Sequence, residues 1–265
     1  MSQFVSRLLV TVVALPLVLW LVWLGGWWLF ALVLVAALIG LHELYGMARS
    51  LRPLVLAGYA GAIATLLGAH LGGSEWMVGG FALTLLLAFL LYGIAETRQT
   101  GTITIGSTVL GVAWIGLGLG HVLLLRDIPQ DGRLVIFTVV LAVFADDTAA
   151  YLVGRLVGRH KLAPSLSPGK TWEGFVAGTA AAVAVAFFAL YDQGLLTIPE
   201  SLALGGAVAL AGAAGDLFES ALKRDLQVKD SGRLLGGHGG MLDRIDGLLF
   251  AAVAGFYVVL AFGYA

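Results

Sequence analysis

Residues 134–153 read LVIFTVVLAVFADDTAAYLV, an apolar run interrupted near its end by the adjacent carboxylates Asp146 and Asp147. A hydrocarbon core about 30 Å thick is crossed by about 20 residues of helix rising 1.5 Å each, so this run has the length of a membrane span. Eight further runs of the same kind stand between charged punctuation, at roughly 8–24, 27–45, 54–71, 76–95, 103–125, 175–191, 201–221 and 247–263. Composition agrees. Of 265 residues 60% are apolar and 12% charged, with mean hydropathy +0.97, whereas a soluble domain carries about 25% charged residues. The expected fold is all-α, a polytopic integral membrane protein of about nine transmembrane helices. The first run follows Arg7 as a secretory signal would. No small-residue cleavage pattern follows it, and Gly25, Gly26, Trp27 and Trp28 lead straight into the next run, so it is read as retained. A net charge of -1 argues against a nucleic-acid partner, and the absence of cysteine excludes disulfides, thiolate metal sites and Cys catalysis.

Short cytoplasmic loops collect Lys and Arg. With the N-terminus inside and nine crossings, 13 of the 15 Lys and Arg fall on the cytoplasmic side, leaving only Arg126 and Arg133 outside. The N-terminus is therefore expected to be cytoplasmic and the C-terminus outside. Two cytoplasmic loops, about 154–174 and about 222–246, are longer than the rest and hold nine of the 15 basic residues. Polar, glycine-rich connections on one face of an aliphatic scaffold are where function is expected. Residues 1–143 are accordingly read as scaffold helices and 144–265 as the catalytic half, within one continuous membrane domain.

Carboxylates in spanning helices cost about 2.5–3.5 kcal/mol at the bilayer centre and face a cavity, a partner or an ion. Asp216, Glu219, Ser220 and Lys223 recur at i, i+3, i+4 and i+7 and so share one helix face. Asp243 and Asp246 are again three apart, around Arg244, where the chain enters its last span. Two such pairs flanking one loop can surround a hard cation with oxygen, and Mg²⁺ suits a few carboxylates completed by water and substrate phosphate. Asp216, Asp243, Asp246 and Glu219 are the candidate metal ligands. With no Cys and five scattered His, zinc or copper is not expected.

Between these pairs lie Lys223, Arg224, Lys229, Asp230, Ser231 and Arg233, then Gly236-Gly237-His238-Gly239-Gly240. Glycines let backbone N–H groups approach an anion, and the cations neutralise phosphate. In the other long loop Gly169-Lys170-Thr171 resembles the end of a P-loop, but the required first glycine would fall at Pro164 and no strand precedes it. His238-Gly239-Gly240 is similar to an esterase oxyanion loop, yet no G-x-S-x-G elbow occurs in the chain. Both matches are rejected.

The residues from Ser220 through Lys223-Arg224 and Lys229-Asp230 to Gly237-His238-Gly239-Gly240-Met241-Leu242-Asp243-Arg244-Ile245-Asp246 resemble the signature of the phosphatidate cytidylyltransferase (CDP-diacylglycerol synthase) family. Ser165 to Gly174 and Asp147-Thr148-Ala149-Ala150-Tyr151 are similar to two further blocks of that family. The resemblance runs from about Phe144 to Phe250; before it, hydropathy and Glu43 agree. Two departures stand out: Gly236 where the family usually has Pro, and Ala149 where it usually has Gly. The first frees a φ angle and loosens the loop.

The resemblance implies transfer of a cytidylyl group from CTP to phosphatidic acid, giving CDP-diacylglycerol and pyrophosphate with Mg²⁺ and, optionally, a monovalent cation such as K⁺. It implies a bacterial inner membrane with the site on the cytoplasmic face. Besides CTP, phosphatidic acid and the lipid bilayer, it allows a homodimer. Carried onto this sequence, Asp216, Asp243, Asp246, Lys223, Arg224 and Lys229 take catalytic roles. Asp147, Ser167, Lys170, Thr171, Ser220, Asp230, His238, Gly239, Gly240 and Arg244 take substrate-binding ones. Two rivals have different chemistry: a CTP-dependent lipid kinase acting on a polyprenol-type alcohol, and an ion-coupled transporter using the intramembrane carboxylates. The transporter predicts two repeated halves, and no repeat is visible.

Overall fold

The computed structural model describes residues 16–94, 100–129, 131–191, 193, 195–232 and 239–264. The chain forms two compact units interleaved in sequence: Met1–Leu124 with Leu226–Arg244, and Leu125–Asp225 with Ile245–Ala265. In lipid every backbone N–H and C=O must be satisfied inside the protein, and apolar runs of about 20 residues do so as helix. Each of the nine runs lies on helix to within two residues of its ends wherever it is described.

The first unit contains α1 (16–24), α2 (Gly26–Met47), α3 (Val55–Ile94) and α4 (Gly101–Gly111). A buried π-helical turn, Val112–Gly116, then leads into α5 (Leu117–Arg126). A straight α3 would be about 60 Å long, twice the hydrocarbon thickness. It breaks at Gly73, whose φ of 71° only glycine adopts without strain, and its arms fold against each other. Glycine at each contact makes that approach possible: a Cβ at Gly61 would overlap Thr84, at Gly68 the Trp76 carbonyl, and at Gly80 the Ala64 carbonyl. The Tyr45 hydroxyl donates to the Thr108 carbonyl at 2.8 Å, fastening α2 to α4.

In the second unit α6 (Gly132–Val157), α7 (Trp172–Leu190) and α8 (Ile198–Asp225) pack in series, with most of α9 (Leu242–Ala261) against α8. A small-residue stripe makes α7 their common neighbour: Gly174, Gly178, Ala182 and Ala186 are buried at every fourth position. Between α6 and α7 runs a hairpin, β1 (Lys161–Ala163) antiparallel to β2 (Ser167–Thr171), pairing Lys161 with Thr171 and Ala163 with Ser167. Thr171 then caps α7, its hydroxyl accepting from the Gly174 N–H at 3.2 Å.

The protein is thus an all-α polytopic membrane protein, with one small hairpin among the described residues. Among the described residues seven helices are long and apolar enough to cross a bilayer. The nine expected runs map onto these seven helices and α1: 54–71 and 76–95 are the two arms of α3, and the first run is described only from residue 16. The long connections are shorter than expected, because α6 continues to Val157, α8 continues to Asp225 and α9 begins at Leu242. Lys223 and Arg224 favour that extension of α8 by sitting at its negative C-terminal end.

Candidate active site

In the second unit a cavity of about 640 Å³ lies between α6, the hairpin, the start of α7 and α8. That is within the usual size range for small-molecule sites. Its polar lining includes Asp146, Asp147, Arg155, Ser167, Lys170 and Asp216. The adjacent carboxylates Asp146 and Asp147 differ in exposure. Asp146 is the buried one, its carboxylate packed where only the missing side chain of Gly178 leaves room, while Asp147 is exposed toward the cavity.

The hairpin brings cations to this cavity. Lys170 Nζ donates to Asp216 Oδ2 at 2.6 Å. From α8, Arg224 Nε donates to the Leu166 carbonyl at 3.4 Å, holding the hairpin turn. Thr171 is buried against Gly154 and Gly158, where any larger residue would collide with its hydroxyl. Glu173, in the first turn of α7, accepts from His160 Nδ1 at 2.7 Å and fixes the approach to β1.

Asp216 and Glu219 stand one turn apart on α8, and Asp246 on α9 lies within hydrogen-bonding reach of both carboxyls. Glycine permits this approach, since a Cβ at Gly215 would overlap the Asp246 carbonyl and Gly212 faces Gly247. Glu219 is 2% exposed and accepts from Lys223 Nζ at 2.5 Å, an i, i+4 ion pair. Carboxyl groups come this close only when they share a proton or have a cation among them. Among the described residues no three acidic or histidine side chains already stand as a ligand sphere. The donors are all oxygen, and around the cavity and the adjoining cluster Asp146, Asp147, Asp216, Glu219 and Asp246 stand against Arg155, Lys161, Lys170 and Lys223, five carboxylates to four cations. That chemistry fits Mg²⁺.

A second polar cluster belongs to the first unit. Asp243 Oδ2, at the start of α9, accepts from the Ser231 N–H at 3.2 Å, the Ser231 hydroxyl at 2.9 Å and the Gly240 N–H at 2.8 Å. Gly239 beside it has φ of 79°. Expected as a metal ligand, Asp243 thus commits one carboxylate oxygen to the loop. Asp230 lines a separate cavity of about 860 Å³ with His42, Arg49 and Tyr59.

The structure therefore gathers Asp147, Ser167, Lys170, Thr171, Asp216, Glu219, Lys223 and Asp246 in the second unit. Asp230, Gly239, Gly240 and Asp243 belong to the first. Arg224, Lys229 and Arg244 are exposed and Ser220 is half-buried. His238 lies outside the described residues. Sequence reasoning assigned no site role to Asp146 or to Glu43, although Glu43 agreed with the family ahead of the blocks that carry the resemblance.

A profile of the cytidylyltransferase family matches residues 5–262. The chain is 34% identical over 250 residues to the phosphatidate cytidylyltransferase of Staphylococcus haemolyticus, an alignment covering 92% of this chain and 94% of that protein. It is 33% identical over 276 residues to the phosphatidate cytidylyltransferase of Mycobacterium bovis, covering 93% and 85%. To the Bacillus subtilis protein of the same name it is 35% identical over 193 residues, covering 72% and 70%.

Proposed function

The chain belongs to the cytidylyltransferase family, and from that premise we propose that it transfers the cytidylyl group of CTP to phosphatidic acid, leaving CDP-diacylglycerol in the bilayer. A phosphate oxygen of phosphatidic acid attacks the α-phosphorus of CTP. A P–O bond forms, the bond from the α-phosphorus to the α,β-bridging oxygen breaks, and its electron pair leaves with pyrophosphate. The nucleophile is already an anion, so a strong general base is unnecessary; the difficulty lies in bringing two polyanions together.

The observation that carries this reading is the acidic cluster of Asp216, Glu219 and Asp246 with Lys170 reaching into it. Those three carboxylates would hold Mg²⁺, which supplies neutralising charge for CTP and pyrophosphate. Lys170 and Lys223 offset further phosphate charge, and Arg224 offers an exposed cation to an incoming polyanion. Asp147 and Ser167 line the cavity that would receive the nucleotide. Asp243 holds the glycine-rich loop.

The distribution of Lys and Arg supports a cytoplasmic N-terminus and a site at the cytoplasmic face, and the bacterial relatives support an inner-membrane location. K⁺ and a homodimer are compatible with this reading, and no step of it depends on either. Incubation of the purified protein with phosphatidic acid, Mg²⁺ and CTP labelled at either the α- or the γ-phosphate tests the proposal. Label from the α position in the lipid product is expected. Label from the γ position there, with CDP released, would identify a lipid kinase instead.

A further inference from the structure

We infer that Arg155 and Lys161, at the mouth of the cavity in the second unit, hold the phosphate of phosphatidic acid, an inference that rests on the cytidylyltransferase reading of that cavity. Both line it, Arg155 from the last turn of α6 and Lys161 from β1. Both are exposed, and among the described residues neither stands within ion-pair distance of a carboxylate. Lys170 and Lys223, by contrast, are each bound to one. The dipole of α6 favours a cation at Arg155 but gives no reason for Lys161 on the hairpin. An anion from outside the protein pairs with both.

Helical side chains lean toward the N-terminus, and Arg155 does so: its Nη1 donates to the Tyr151 hydroxyl, one turn back, at 2.9 Å. That bond uses one of five guanidinium N–H donors and leaves the Tyr151 O–H to donate in turn, so both side chains present donors to a phosphate in the cavity that they line. The surface around the mouth selects a lipid over a nucleotide. The apolar run of α6 ends at residue 153, two positions before Arg155, which puts the guanidinium where hydrocarbon meets water. Tyr151, Leu152, Leu156 and Trp172 stand beside it on α6 and at the start of α7, all more than half exposed. Acyl chains can lie along these side chains while the phosphate turns in to Arg155; a nucleotide arriving through water gains nothing from them. Asp147, Tyr151 and Arg155 follow at i, i+4 and i+8, so the same face of α6 leads from the mouth to the carboxylates.

The test compares Arg155→Gln, Arg155→Lys and Lys161→Gln as purified full-length proteins, with Arg159→Gln as control, since Arg159 is exposed between the two cations in sequence but does not line the cavity. Phosphatidic acid in mixed micelles and CTP are varied separately, and binding of labelled phosphatidic acid is measured without CTP. Arg155→Gln is expected to raise the KM for phosphatidic acid about tenfold, the scale of one lost charge-assisted hydrogen bond, and to weaken CTP-free binding to the same degree. The KM for CTP and kcat should stay within about twofold of wild type, and the unfolding temperature should not change. Arg155→Lys should recover part of the loss, because it keeps the charge without the fork. Lys161→Gln should act in the same direction with smaller effect, and it carries the test if Arg155→Gln does not fold. Arg159→Gln should leave both KM values within about twofold of wild type.

A rise in the KM for CTP alone overturns the proposal, because the phosphate held at the mouth is then the nucleotide's. Unchanged KM values overturn it whatever happens to kcat. So does an equal loss from Arg159→Gln, which reduces the effect to attraction between a basic surface and anionic micelles. Binding without CTP separates this site from the reaction. Wild-type protein that binds phosphatidic acid through Arg155 yet forms no CDP-diacylglycerol upholds the phosphate site and sinks the cytidylyl reading; normal product from the wild type, with normal lipid binding by Arg155→Gln, does the reverse.

Discussion

Lys170 Nζ stands 2.6 Å from Asp216 Oδ2, so the hairpin is fastened to the C-terminal half of α8 across 46 positions of sequence. The two side chains are 29% and 25% exposed, and an ion pair open to water to that degree adds only about 1 kcal/mol or less to stability. Its value lies in where it puts the charges. Lys170→Met should therefore shift the unfolding temperature little while lowering kcat/KM for CTP by about 30-fold or more, an effect of about 2 kcal/mol. Loss of activity in step with loss of fold, followed by intrinsic fluorescence in detergent, would make the pair a structural strut.

Gly215 tests the crossing of α8 and α9. A Cβ there would overlap the Asp246 carbonyl, whereas one at Gly206 on the same helix meets nothing within 4 Å. Gly215→Ala should destabilise the protein by about 1–3 kcal/mol as the helices are forced apart, and should abolish turnover. Gly206→Ala should be neutral or raise stability by about 0.5–1 kcal/mol through helix propensity. Comparable unfolding temperatures for the two variants would contradict the close approach.

Asp243 separates two roles that predict the same loss of turnover. Its Oδ2 already accepts three hydrogen bonds from the loop. Asp243→Asn should thus lower turnover at least tenfold while leaving the Mg²⁺ concentration for half-maximal activity within about twofold of wild type. A rise of tenfold or more in that requirement would return Asp243 to the metal's ligand set.

The helices were legible because an apolar run as long and continuous as 134–153 satisfies its amides in lipid as helix, whereas a barrel strand would be half as long and alternate. The carboxylate cluster was legible for a related reason, since Asp216, Glu219 and Asp246 bear charge where hydrocarbon disfavours it, at helical spacing. The hairpin was not. Ser167-Pro-Gly-Lys-Thr171 has no alternation to announce a strand, and its register comes from Lys161 across the turn. Helix ends at Val157 and Asp225 were also missed, because hydropathy marks where a span leaves hydrocarbon and not where its hydrogen bonds stop. The spacing within α8 pointed to its carboxylates, but nothing local to α2 could reveal that the Glu43 carboxylate accepts from the Met241 and Leu242 N–H groups where α9 begins.

The central claim is that the acidic cluster of α8 and α9 carries Mg²⁺-dependent cytidylyl transfer, and Asp216→Asn tests it most directly. Formation of CDP-diacylglycerol, measured by mass of the lipid product at saturating phosphatidic acid over a series of Mg²⁺ concentrations, should fall by about 100-fold or more. The folded fraction should be unchanged, and no Mg²⁺ concentration should restore the rate. Product formation within threefold of wild type, with the same Mg²⁺ dependence, would contradict the account.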